Sequence, residues 1–238
     1  MKRTASRTIA QMRRGLVAFG VVATLGVIAS AQSPSPGGPP KGGGPYRPSA
    51  LVELVALDPT IRLDIRYATA NNFVGRPVYP EARAFLQKPA ADALLIAHRR
   101  LKEKGYGIVV FDAYRPWSIT KVFWDITPAD KKMFVADPAV GSMHNRGCAV
   151  DVGLYDLKTG RTVEMPGDYG EMSERSFVTY IGGTADQRAH RDLLRKVMEQ
   201  DGYFFVYPEE WWHFDFKDYR EYAVQDVPFS SIPPPAAR

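Results

Sequence analysis

The chain has 238 residues, 45% of them hydrophobic, enough for one sizeable core. Its formal charge of +5 reflects 31 Lys and Arg against 26 Asp and Glu, but five of the basic residues and none of the acidic ones lie in residues 1–31. The remainder is balanced, which removes the support for a basic nucleic-acid-binding face, and the single cysteine, Cys148, excludes an intrachain disulfide.

Residues 1–31 read as an export signal: Lys2, Arg3, Arg7, Arg13 and Arg14 precede an uncharged apolar run from Gly15 to Ile28, and Ala29-Ser30-Ala31 offers small residues for cleavage. The expected location is therefore the periplasm or the exterior, with no stable membrane span after processing. Residues 32–48 are rich in Pro, Gly and Ser and read as a disordered spacer; residues 229–238 read as a flexible tail. One domain is expected between them, over 49–228, with no internal repeat.

Leu51 to Arg66 suggests a strand, since Ile61, Leu63 and Ile65 alternate with Arg62, Asp64 and Arg66. Tyr67 to Pro80 reads as a loop. Ala90 to Lys104 places Ala93, Ile96, Ala97 and Leu101 on one side of a helix that Gly105 ends. Gly107 to Asp112 reads as a buried strand, followed directly by Ala113-Tyr114-Arg115-Pro116. Asp112 and Arg115 fit either a structural pair at a turn or a cationic fork held ready for an oxyanion. The detail of Ser118 to Asp137 is not readable.

The chain has four histidines. His98 and His190 fall in helical patterns and read as surface or satisfied helix residues. His144 and His213 do not. His144 belongs to Ser142-Met143-His144-Asn145-Arg146-Gly147-Cys148-Ala149-Val150-Asp151, and His213 to Glu210-Trp211-Trp212-His213-Phe214. Two His and one Asp are ligand types suited to Zn²⁺, and three ligands leave a tetrahedral ion one open position. A strand over Ala149 to Leu154 would set Asp151 opposite Val150 and Val152, and Gly147 would let the backbone turn before it. Cys148 then points away from Asp151 and reads as packing. Asp186 to Gln200 is a second amphipathic helix; Tyr203 to Tyr207 and Trp211 to Phe216 read as strands. Alternation sets Trp211, His213 and Asp215 on one face, so Glu210 needs a bulge or a helical turn to reach the same ion.

Ser142-x-His144-x-x-Gly147-x-Ala149-x-Asp151 with Glu210-x-x-His213 resembles the D-alanyl-D-alanine dipeptidases of the zinc D,D-peptidase superfamily. Asp64-Ile65-Arg66-Tyr67-Ala68-Thr69, Asn72-Phe73-x-Gly75 and Asp112-Ala113-Tyr114-Arg115-Pro116 resemble the same branch, so the likeness covers about residues 50 to 220. It implies an α+β domain of the D,D-peptidase/hedgehog type, with a central antiparallel or mixed sheet flanked by helices. It further implies one Zn²⁺ per chain on His144, Asp151 and His213, with Glu210 as general base and Arg115 stabilising the tetrahedral intermediate. Asp112 would orient Arg115, while Tyr67, Asn72, Phe73 and Ser142 would serve the substrate cleft. The implied substrate is a D-amino-acid dipeptide or a peptidoglycan-derived peptide, the alternative activity being a D,D-carboxypeptidase acting on stem peptides. One departure stands out. Where these proteins commonly carry the aspartate of Met-Gly-Thr-x-Phe-Asp, which holds the substrate's free amine, this chain has Gly170. Asp168 and Glu171 flank it as candidate replacements. Oligomeric state is not readable.

Overall fold

The computed structural model describes residues 37–233, so the expected export segment, the first part of the spacer and residues 234–238 lie outside the described residues. Arg47 is already tied to the domain, its N–H donating to the Glu221 carbonyl at 2.8 Å.

In chain order the elements are β1 (Leu51–Glu53), the single turn α1 (Leu54–Leu57), β2 (Arg62–Leu63), β3 (Phe85–Gln87), α2 (Lys88–Lys102), β4 (Tyr106–Asp112), α3 (Trp117–Ile126), β5 (Ala149–Asp156), α4 (Ala185–Glu199), β6 (Phe204–Tyr207) and β7 (Glu210–Phe216). β1 and β3 form a small antiparallel pair, and a five-stranded sheet runs β2-β4-β5-β7-β6. β2 is parallel to β4 and every other pairing is antiparallel, so the sheet is mixed and the class is α+β, as expected.

The single strand expected over Leu51 to Arg66 is broken into β1, α1 and β2. Asp58-Pro59-Thr60 interrupts it: proline has no N–H for a ladder, and the Asp58 carboxylate instead accepts the Thr60 N–H at 2.9 Å to close a turn. The unread stretch after Pro116 begins with α3, which buries Thr120 and Phe123.

α2 and α4 pack on each other and on the sheet, α2 against β4 and α4 against β5, β6 and β7. α2 presents Ala90, Ala93, Leu94, Ala97 and Leu101 inward, and α4 presents Leu194, Val197 and Met198. Thr184 and Gln187 form a reciprocal capping box at the start of α4. His98 is fully buried on α2, where Nδ1 accepts the Ile108 N–H at 3.1 Å and Nε2 donates to the Thr60 hydroxyl at 2.9 Å. Burial, reinforced by Lys102, pushes its pKa down to about 4.

Residues 229–233, expected as part of the tail, are docked on the domain. Phe229 is 1% exposed and packs on Tyr79, Phe85 and Tyr114, and Ile232 is also buried. A short proline-flanked run with two large apolar side chains has enough surface to dock, despite its loop-like composition.

Candidate metal centre and its cavity

Strand register brings the first site residues together. Asp112 at the end of β4 is the cross-strand partner of Asp151 on β5, and Asp151 is the partner of His213 on β7. His144 arrives from outside the sheet, on a 3-10 turn over His144–Arg146 that ends at Gly147 with φ +68°. A side chain at Gly147 would be strained by that φ, and its Cβ would stand 2.5 Å from Leu51 Cδ2. Gln87 and Asn145 fasten the turn: Gln87 N–H donates to the Gly147 carbonyl at 2.8 Å, while the Asn145 amide donates to the Arg115 carbonyl at 2.9 Å and to Thr120 Oγ1 at 2.8 Å.

The result is a triangle of three ligand atoms. His144 Nε2 and His213 Nδ1 are 3.1 Å apart, and Asp151 Oδ1 stands 3.2 Å and 3.0 Å from them. Tetrahedral ligands about 2.0 Å from zinc are about 3.3 Å from one another, so the triangle has nearly the edges of a zinc coordination shell. The hydrogen bonds on the far atoms agree. His144 Nδ1 donates to the Ala113 carbonyl at 2.6 Å, which leaves Nε2 with a lone pair facing the cluster. His213 Nε2 meets Asp215 Oδ1 at 2.9 Å, and Asp151 Oδ2 accepts the Tyr169 hydroxyl at 2.9 Å. Three acceptor atoms, those of His144 and Asp151 on buried residues and that of His213 on a half-buried one, thus converge on one point, and the donor set fits a divalent ion. Burial alone would lower the pKa of His213, yet Asp215 and Asp151 on either side hold it well above the ordinary range.

Glu210 lies beside the triangle, its carboxylate 3.9 Å from His213 Nδ1. The β6–β7 register shifts between Val206 and Tyr207, with Val206 opposite Phe214 and Tyr207 opposite Glu210. The bulge therefore lies within β7, and it turns Glu210 to the cavity beside His213 and Asp215. Trp212 lines the cavity and Trp211 does not, although strict alternation sets Trp211 on the His213 face. Burial pushes the Glu210 carboxyl up to about 8 in the metal-free chain, with His213 opposing and Asp151 adding to the shift.

Arg115 is buried and donates through Nε and Nη2 to Asp112 Oδ2 at 3.0 and 2.7 Å, while Asp112 Oδ1 accepts the Tyr79 hydroxyl at 2.8 Å. Its guanidinium also lies 4.7 Å from the centre of the Phe123 ring. Its Nη1 has no hydrogen-bond partner among the described residues.

These groups border one cavity of about 360 Å³. Tyr67, Phe73 and Ser142 line it, Phe73 meeting Phe123 edge-on at 4.9 Å. Asn72 does not; its side-chain amide donates to the carbonyls of Arg66, Thr69 and Arg76 and holds the loop. Asp168 and Glu171 also lie off the wall. Glu171 is used inside its own loop, where it accepts from Ser173 Oγ at 2.6 Å and from the Asp168 N–H at 3.1 Å. Asp137 does line the cavity and was not singled out in the sequence, nor was Tyr169. Neither sits in a periodic segment. Asp215 was signalled, since alternation set it on the His213 face. Cys148 is buried, away from the triangle, and burial pushes its thiol far above the ordinary range, consistent with packing.

A family model described as D-ala-D-ala dipeptidase matches residues 47–232. A D-alanyl-D-alanine dipeptidase of Escherichia coli strain K12 is 31% identical over 188 residues, covering 79% of this chain and 95% of that protein. One from Enterococcus faecalis is 36% identical over 179 residues, covering 66% of this chain and 87% of that protein. One from Streptomyces coelicolor is 33% identical over 176 residues, with the same coverage of 66% and 87%.

Proposed function

This chain belongs to the D-ala-D-ala dipeptidase family, and we propose that it hydrolyses D-alanyl-D-alanine and related D-amino-acid dipeptides to free amino acids, with one zinc ion on His144, Asp151 and His213. The observation that carries this reading is the triangle of acceptors, 3.0 to 3.2 Å on a side, with Glu210 beside it. When bound, zinc supplies Lewis acidity, polarising a carbonyl oxygen and bringing the pKa of a water down to about 7. Glu210 accepts the proton of the attacking water and passes it to the leaving amine. Arg115 is held by Asp112 and keeps Nη1 for the oxyanion that develops on the carbonyl.

The substrate's amine needs an anion. Asp151 and Asp215 are engaged at the histidines and Glu210 is the base, so we assign the ammonium group to Asp137, an exposed residue at the cavity whose Oδ1 also accepts the Ala139 N–H at 2.8 Å, in place of Asp168 or Glu171, which do not line the cavity. Initial rates with D-alanyl-D-alanine and with an N-acylated peptide ending in D-alanyl-D-alanine test this. The free dipeptide should be the better substrate, and Asp137→Asn should raise its KM and leave the acylated peptide unaffected. Preference of the parent enzyme for the acylated peptide would instead mean a D,D-carboxypeptidase.

The pattern of residues 1–31 supports export to the periplasm or beyond, where peptidoglycan turnover supplies such peptides. Among the described residues no helix is long and apolar enough to cross a membrane.

A further inference from the structure

We propose that the Tyr169 hydroxyl is the positioning group that presents Asp151 to the metal through a single oxygen. The inference rests on the metal reading above and extends it to a residue outside both ligand motifs.

Asp151 is 3% exposed, and its two oxygens have different surroundings. Oδ1 faces both imidazoles, at 3.0 and 3.2 Å, while Oδ2 accepts the Tyr169 hydroxyl at 2.9 Å. A free carboxylate can swing, or offer both oxygens to an ion; a donor fixed on one oxygen reserves the other and sets the plane of the group. His144 has the Ala113 carbonyl behind it and His213 has Asp215, so the tyrosine gives the third ligand its own fixed partner.

Tyr169 is itself held on three sides. Its ring stacks on Phe111 at 4.6 Å and 18°, meets Trp212 edge-on at 5.4 Å, and meets Tyr67 at 6.3 Å. Phe111 occupies the room left by Gly153, two residues along β5 from Asp151, where a Cβ would stand 2.9 Å from the Phe111 ring. The loop that delivers the tyrosine also depends on glycine. A Cβ at Gly167 would come within 2.7 Å of the Arg175 carbonyl oxygen, and Gly170 has φ +77°. Backbone, ring stack and hydroxyl therefore form one support that ends on Asp151 Oδ2.

Tyr169→Phe keeps the ring and removes the donor. The dissociation constant for zinc is measured by competition with a chromogenic chelator, for the parent and for this variant, with circular dichroism of the metal-free proteins as a check on folding. The variant should fold as the parent does and bind zinc roughly 10- to 100-fold more weakly. The visible spectrum of its cobalt form should differ from that of the parent, and saturating zinc should restore most of the turnover. Unchanged zinc affinity would overturn the inference. So would intact affinity with turnover lost at saturating zinc, because the hydroxyl would then act on the substrate. Failure of the parent to bind zinc would bring down the metal reading and this inference with it, and the parent arm alone reveals that case.

Discussion

Glu210 and His213 stand three residues apart and are proposed for different work. His213 has carboxylates on both sides and offers Nδ1 to the cluster, whereas Glu210 has only the 3.9 Å approach to that same atom. Glu210→Ala should therefore leave zinc stoichiometry unchanged and lower kcat by roughly 10²- to 10⁴-fold; metal analysis beside steady-state rates checks both, and loss of zinc would make Glu210 a ligand. Asp215→Asn weakens the acceptor behind His213 and should reduce zinc affinity roughly 10- to 100-fold, read by the same chelator competition. The residues proposed as ligands and base, and the Asp112–Arg115 pair, stand out in the sequence because each belongs to a contiguous run whose residue types and spacing imply chemistry. Tyr169 and Asp137 do not. They lie in loops, where no period says which way a side chain points, and Asp168 and Glu171 were preferred only because they flank the expected position.

At the scale of elements, the site depends on two breaks in regular structure. The bulge within β7 resets the alternation so that Glu210 joins His213 and Asp215, whereas a strict period of two sets Trp211 on the His213 face. The left-handed turn at Gly147 brings His144 to the sheet. Gly147→Ala should cost about 1–2 kcal/mol from the backbone alone, with more from the contact with Leu51. The thermal midpoint of the metal-free protein should fall and zinc affinity should fall with it. A variant that binds zinc like the parent would show that the turn does not position His144. The long helices and β4, β5 and β7 were readable from apolar spacing, while the 51–66 segment was misread because the alternation of residues 61–66 was extended back across Pro59, which has no N–H to give.

Across the whole molecule, the 58–60 turn, α2 and β4 are joined through the neutral imidazole of His98. Its folded pKa is about 4 against an ordinary 6.5, so on acidification the unfolded chain takes up a proton that the folded chain still refuses. Stability should accordingly fall as pH drops from about 6.5 to about 4. An NMR titration should show the His98 ring neutral at pH 5, and a ring already protonated there would refute the assignment. Zinc acts in the opposite direction: binding the folded state alone, it should raise the thermal midpoint, and a chelator should reverse the rise.

The most direct test of a hydrolytic centre closed around one ion is to titrate zinc into the metal-free protein while following the release of D-alanine from D-alanyl-D-alanine. Activity should rise from near zero in proportion to zinc and level off at one ion per chain. Turnover that persists without metal, or that levels off at another ratio, would contradict a single zinc on His144, Asp151 and His213.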